Sequence, residues 1–323
     1  MRGFVQEPLR VGTRGSALAQ AQTASIVAAL RERYPDLAVE TVIVRTSGDH
    51  QQRDVRGAFV RELQEALLAG NIDVAVHSLK DLPTSGVDGL MLAAVPPRAD
   101  ARDILVSKGE GFETLAPGAR VGTGSVRRSA QLRWHRDDLN FLPLVGNVDT
   151  RLRKLQEGDY EAIVLAAAGL QRLGFLDDAL DSHILMPDGN TLCIQFFAVE
   201  QLLPAPGQGA LAVECRENDT EMMELVKPLN HLPSWQAVTA ERALLHALGG
   251  GCRVPIAAYA EVQEGVLHLT ALVATPDGSA LLREQLQGEA HQAQALGEEL
   301  AQVLLRRGAT EILERSNGSS SQQ

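Results

Sequence analysis

Ile72-Asp73-Val74-Ala75-Val76-His77-Ser78-Leu79-Lys80-Asp81-Leu82-Pro83 runs from an apolar strand, Ile72 to Val76, straight into a polar turn that carries Lys80 and Asp81. A strand that ends so abruptly in charge fits an open α/β sheet. There, ligands collect beyond the carboxyl ends of strands and side chains on short loops face a crevice. The other reading of the pair is a solvated surface contact contributing under about 1 kcal/mol. Upstream, strand and helix signals alternate: Leu9 to Gly12 as strand, Ser16 to about Arg33 as helix, Val39 to Val44 as strand, Gly57 to Ala69 as helix. This is the βαβ rhythm of a parallel or mixed sheet with helices on its faces. Ser16 is the expected N-cap, which leaves Thr13, Arg14 and Gly15 in a turn at the same crevice.

Downstream, a second βαβ set begins near Ile104 and continues through Arg120 to Gly122, Phe141 to Val145 and Ile163 to Ala167. Gly207-Gln208-Gly209 precedes a strand-like Ala210 to Cys215 that is read as returning the chain to the first sheet, making two crossings and a hinge. A third unit follows: helix Ala237 to Leu248, strands Ile256 to Ala260 and Leu267 to Val273, and an amphipathic stretch from about Ala290 to Arg307. The expected domains are residues 1–103 with 205–227, residues 104–204, and residues 228–315. A disordered tail over 316–323 completes the chain.

The 323 residues are 45% hydrophobic and 22% charged, enough for two or three cores. No apolar run approaches the 18 residues that suggest a membrane helix, and Met1 to Arg10 has no secretory apolar stretch, so the cytoplasm is expected. Cys193, Cys215 and Cys252 are widely spaced, indicating neither a disulfide framework nor a zinc site, and the histidines have no metal-ligand spacing. No metal is expected. Thirty basic against 41 acidic residues, net −11, argues against nucleic acid. Yet Arg120 to Arg136 holds five arginines and no carboxylate, a concentration suited to a small polyanion.

Gly122-Thr123-Gly124-Ser125 follows a strand and opens a helix at Arg127 and Arg128. Backbone amides and a helix N-terminus hold anions, and paired guanidiniums suit carboxylates. A dinucleotide fingerprint fails, because Arg127 stands where the third glycine belongs. Arg133 and Arg136 read as a solvated face. Gly146-Asn147-Val148-Asp149-Thr150-Arg151 repeats the design, with Asp149 or Thr150 as cap and Arg151 in the first turn. Cys252 follows three glycines and precedes Arg253, a context that exposes a thiol and lowers its pKa, whereas Cys193 and Cys215 lie in apolar strands and read as inert.

Six motifs, in order, resemble the porphobilinogen deaminase (hydroxymethylbilane synthase) family over about residues 9 to 315. They are Thr13-Arg14-x-Ser16, Val76 to Pro83, Val121 to Arg128, Gly146-Asn147 with Thr150-Arg151-Leu152, Pro206 to Gly209, and Gly250-Gly251-Cys252-x-Val254-Pro255. The resemblance implies an α/β fold of two periplasmic-binding-protein-like domains with an active cleft between them, plus a smaller α+β C-terminal domain. It implies a dipyrromethane cofactor held through a thioether at Cys252, assembled by the enzyme and used as primer for four porphobilinogen units, each losing ammonia. Asp81 is then the catalytic carboxylate with Lys80 beside it. Ser125, Arg127, Arg128, Arg151, Lys80 and Asp81 contact the cofactor, and Arg14, Ser16, Thr13, Arg172 and Gln208 contact the substrate. A monomer without a membrane partner is expected.

Three departures stand out. Val145 takes the place of an arginine immediately before Gly-Asn, which predicts slow elongation unless another arginine substitutes, and with it a silent tetrapyrrole-binding paralogue as the rival reading. Asp49 to Arg56 is short for a mobile loop over a cleft. His183 to Gln201 reads as an insertion whose apolar run, Leu192 to Val199, is a partner surface or extra packing.

Overall fold

The computed structural model describes residues 7–44, 58–176, 182–186, 188–249 and 254–318. The chain divides into two compact units, residues 1–98 with 210–235 and residues 99–209 with 236–323. The first unit opens with β1 (Leu9–Thr13), α1 (Ala17–Arg33), β2 (Val39–Ile43), α2 (Ala58–Leu68), β3 (Val74–Ser78) and β4 (Leu90–Ala94). The second begins with β5 (Asp103–Ser107), β6 (Arg120–Gly122), α3 (Val126–His135), β7 (Asn140–Leu142), α4 (Val148–Glu157), β8 (Ala162–Ala166), α5 (Ala167–Arg172), β9 (His183–Leu185) and β10 (Thr191–Phe196). The chain returns with β11 (Leu211–Arg216), α6 (Thr220–Val226) and the start of α7 (Leu232–Ala247). It then ends in β12 (Ile256–Gln263), β13 (Val266–Ala274), β14 (Leu281–Glu289), α8 (Ala293–Arg306) and α9 (Ala309–Gly318). Residues 316–318, expected as tail, are therefore helical.

In the first unit the sheet order is β2-β1-β3-β11-β4. Strands β1, β2 and β3 are parallel, and β11 runs antiparallel between β3 and β4. Alternation decides the two cores: Val74, Val76 and Val213 face Ile26, Val27 and Leu30 of α1, while Ala75 joins Leu63, Leu67 and Ile72 on the side of α2. Both faces are covered, so β3 reads as a continuous apolar run. At the amino end of this sheet Asp73 takes two bonds from the Arg10 guanidinium, at 3.0 and 2.7 Å, one from the Arg10 amide at 3.0 Å and a longer one from Arg216 at 3.3 Å. Burial works against its ionisation, but Arg10 and Arg216 prevail and hold the carboxyl below its usual value. A depressed carboxylate contributes stability above its unfolded value of about 3.9, lost as pH falls through the lower folded value. Urea unfolding at neutral pH is therefore expected to find Asp73→Asn weaker by roughly 1–3 kcal/mol, a gap that closes in acid; a gap independent of pH would contradict the ion-pair account.

In the second unit the six-stranded order is β7-β6-β8-β5-β10-β9. Ile104, Val106, Ile163 and Leu165 point to one core, Leu105, Ala162 and Val164 to the other. The run expected as an insertion is part of this sheet: β10 pairs antiparallel with β5, and β9 completes the edge. Leu192 and Ile194 pack with Ile184. Phe197 meets Phe112 edge to face, centroids 5.4 Å apart, a pair contributing about 0.5–1.5 kcal/mol beyond burial. The segment is packing within the sheet.

The C-terminal domain is an antiparallel meander, β12-β13-β14, with α7, α8 and α9 over one face. Helices α7 and α8 cross so closely that a Cβ on Gly297 would stand 2.2 Å from the Ala240 carbonyl, which leaves only glycine there. The opposite side of the meander reaches α3 through Ala257, Leu272 and Ala274 against Ala130 and Leu203. Arg133 donates to the Pro276 carbonyl at 3.2 Å and lies over Phe141; Arg136 donates to Asp138 and to the carbonyls of Phe112, Glu113 and Leu115. Neither is the solvated face expected from sequence; both staple loops to α3.

Candidate active site

In the first unit β1 and β3 lie side by side, with Val11 opposite Val74 and Gly12 opposite Ala75, so the loops that leave them emerge at one end of the sheet. The β1 loop carries Arg14 to Ser16. After β3, Leu79–Asp81 forms a single 3₁₀ turn, closed by Leu82 N donating to the Leu79 carbonyl at 3.1 Å and tied down by Leu79 N donating to Ala210 at 3.0 Å. Lys80 and Asp81, both half-buried, are thereby presented from a fixed backbone. Ser16 does cap α1, accepting from the Ala19 amide at 3.3 Å. Gln22 of α1 donates to the Ser78 hydroxyl at 2.8 Å, bracing the start of this turn. Thr13 is fully buried, and its Oγ1 has no hydrogen-bond partner among the described residues. Below the turn, His77 and Gln64 both contact Glu214, at 3.1 and 3.0 Å, a buried trio that joins β3, α2 and β11.

In the second unit β6, β7 and β8 are parallel, and their carboxyl ends deliver residues 123–125, residues 143–147 and α5 to one edge. Every expected site residue of residues 104–204 stands on that edge. Ser125 is the N-cap of α3, yet its side chain makes no capping bond, which leaves the hydroxyl for another acceptor or donor. Asn147, not Asp149 or Thr150, occupies the N-cap of α4; Asp149 lies in the first turn. Arg151 donates from Nε to the Gly146 carbonyl at 2.7 Å. Val145 is 68% exposed at this edge.

Arg127 and Arg128, expected to suit ligand carboxylates, already engage a carboxylate of the protein. Both are buried, and both reach Asp103, the fully buried first residue of β5: Arg127 Nη2 at 2.8 Å, Arg128 Nε at 2.9 Å and Nη2 at 2.7 Å. Arg127 also donates to the Leu203 carbonyl and Arg128 to Val164. Complete burial opposes ionisation of Asp103, but the two guanidiniums outweigh it and keep the carboxyl below its usual range. Gln208, expected on the substrate, donates to Asp103 Oδ1 at 2.8 Å and to the Ala101 carbonyl at 2.7 Å, and so braces the same carboxylate. Sequence reasoning missed Asp103; its one signal is a lone acid at the head of the apolar run Ile104 to Val106.

Arg172 ends α5 and is largely desolvated, which pulls its guanidinium down to about 10. It remains cationic at neutral pH. Nη2 donates to the Gly209 carbonyl at 2.7 Å, and among the described residues it has no carboxylate partner. Cys252, Arg253 and the segment Asp49 to Arg56 lie outside the described residues. Of the other cysteines, Cys215 is buried on β11 and its thiol is pushed up to about 11 by burial, as expected of an inert core cysteine.

These observations test whether a dipyrromethane, with its acetate and propionate groups, suits the edge. Among the described residues Arg172 is a partly desolvated cation without a carboxylate, Arg127 Nε is a buried donor without a hydrogen-bond partner, and the Ser125 hydroxyl makes no cap. Such donors suit carboxylates, so the group fits. Two sheet-rich α/β domains with arginines at their loop edges and a smaller domain of sheet and helices define the class of protein.

Sequence comparison specifies this class. Residues 9–224 match "Porphobilinogen deaminase, dipyromethane cofactor binding domain", and residues 235–306 match "Porphobilinogen deaminase, C-terminal domain". The chain is 44% identical over 314 residues to a porphobilinogen deaminase of Syntrophus aciditrophicus, covering 95% of this chain and 98% of that one. It is 47% identical over 306 residues to one of Thermus thermophilus, covering 94% and 97%. Among solved structures, the BenM effector binding domain aligns with a TM-score of 0.41 at 14% identity, over 70% of this chain and 92% of that one, too loose a likeness to bear on function. The chain belongs to the porphobilinogen deaminase family.

Proposed function

We propose that this chain is a hydroxymethylbilane synthase: it joins four porphobilinogen molecules head to tail with loss of ammonia, on a dipyrromethane primer attached at Cys252, and releases the linear tetrapyrrole. The observation that carries the reading is the set of incompletely satisfied cationic donors at the β6–β8 edge, in a segment that matches the cofactor-binding domain of this family. Dipyrromethane, when bound, supplies the electron-rich free pyrrole α-carbon at which porphobilinogen is added. Arg127, Arg128, Arg151 and Ser125 hold its acidic side chains, and Arg14, Ser16, Thr13 and Arg172 those of the incoming pyrrole.

Loss of ammonia from porphobilinogen generates an azafulvene that is cationic when protonated. Asp81, fixed in its 3₁₀ turn, stabilises positive charge at the pyrrole nitrogen and moves protons there, with Lys80 beside it. The acid belongs on a turn, because a carboxylate in the apolar interior of β3 would favour its neutral form.

Against the silent paralogue stands close kinship, over most of the chain, with relatives bearing the enzyme's name. Val145 leaves Arg14 and Arg172 as the arginines that serve the substrate's carboxylates. The same reading places the chain in the cytoplasm, as a monomer without a nucleic-acid partner, in keeping with the net charge of −11. No described helix is long and apolar enough to cross a membrane. The purified chain, given porphobilinogen, is expected to release a linear tetrapyrrole and ammonia in the ratio of one to four set by the proposed reaction. Binding without ammonia release would reject turnover and revive the silent reading.

A further inference from the structure

The mechanism above uses Arg127 and Arg128 but not the acid between them. Two adjacent guanidiniums on the first turn of a helix repel each other, and in a buried setting that repulsion is little screened. Asp103 answers it. Both side chains converge on this one carboxylate, Arg128 through two nitrogens and Arg127 through one, and Gln208 adds a bond at 2.8 Å. Formal charges of two arginines and one aspartate leave the cluster with a surplus of positive charge. With Nη2 in an ion pair with Asp103 Oδ2 and Nη1 donating to the Leu203 carbonyl, the Arg127 group is oriented so that Nε has no hydrogen-bond partner among the described residues. The acid also comes from a different element, the head of β5, where Asp103 pairs with Ala166 at the end of β8 and so stands on the same edge as Arg172.

We propose that Asp103 is a positioning residue for the primer site: it fixes the direction of both guanidiniums and leaves the surplus charge for a carboxylate of the ligand. This rests on the reading that Arg127 and Arg128 hold the dipyrromethane. It differs from a purely electrostatic role, because removal of a negative charge beside a site for anions strengthens attraction if charge alone matters, and weakens binding if geometry matters.

The test is the rate at which folded, full-length apoprotein gains the primer mass on exposure to porphobilinogen, followed by intact mass, with the thermal midpoint measured in parallel. Asp103→Asn and Asp103→Glu are both expected to load at least about tenfold more slowly per folded molecule, the loss brought by one misplaced charge-assisted contact. A role in stability alone would lower the midpoint and leave the folded fraction loading at the wild-type rate, which overturns the inference; faster loading by Asp103→Asn overturns it too. Should the asparagine variant not fold, Asp103→Glu, which keeps the charge and moves it, decides alone. Arg127→Met is run beside them. If it loads like wild type, the arginine assignment fails and the inference with it; if it is slow while the Asp103 variants are normal, only the inference fails.

Discussion

Asp81→Asn is expected to lower kcat by about 10²–10⁴-fold with little change in the thermal midpoint, since general acid–base and charge-stabilising groups contribute on that scale. The structural reason for the small effect on stability is position. Asp81 is half-buried on a 3₁₀ turn whose backbone bonds, Leu82 N to Leu79 and Leu79 N to Ala210, do not involve its side chain. Asparagine keeps the shape and removes the charge that would face a developing pyrrole cation. The loss should fall on kcat rather than KM, because the interaction is made in the transition state. A variant retaining more than a tenth of wild-type kcat would remove Asp81 from the catalytic role.

Arg172→Met is the second large effect, and it separates binding from stability. Its guanidinium is desolvated, pulled down to about 10, and among the described residues bonds to a carbonyl but to no carboxylate. Partial burial of a cation that has no carboxylate partner among the described residues costs the folded chain solvation. Methionine has similar length, so the variant should be as stable as wild type or more so, while KM for porphobilinogen rises about 10- to 150-fold, the equivalent of a charge-assisted bond of roughly 1.5–3 kcal/mol. An unchanged KM with lowered stability would make Arg172 a structural brace on Gly209. Arg128→Met provides the contrast: it strips two bonds from buried Asp103 and should destabilise the protein.

Much of this architecture was legible because local signals agreed with tertiary need. Ser16 before Ala17–Arg33, and the apolar runs of β1, β3, β5 and β8, announce helix and strand by cap and by two-sided burial. Strand β14 was not legible. Leu281–Glu289 is mostly polar, and only the ladder with β13 makes it a strand. The Leu192 run was visible but could not be placed, since a strand of a mixed sheet is defined by its partners, here β9 and, far away in sequence, β5.

For the candidate site, motif order singles out Asp81 and the arginines, whereas the contacts of Asp103 and its bracing by Gln208 depend on elements distant in the chain. Residues drawn as equals by the sequence thus divide by environment: Arg127 and Arg128 pair with a carboxylate, and Arg172, among the described residues, bonds only to a carbonyl.

The most direct test of the central claim is the intact mass of the full-length chain before and after porphobilinogen, with Cys252→Ser beside it. The account predicts that wild type carries the mass of one dipyrromethane and shows a transient ladder of added pyrrole units, while Cys252→Ser gains neither. A wild-type chain that turns over porphobilinogen without covalent mass, or a Cys252→Ser chain that still acquires it, would contradict the account.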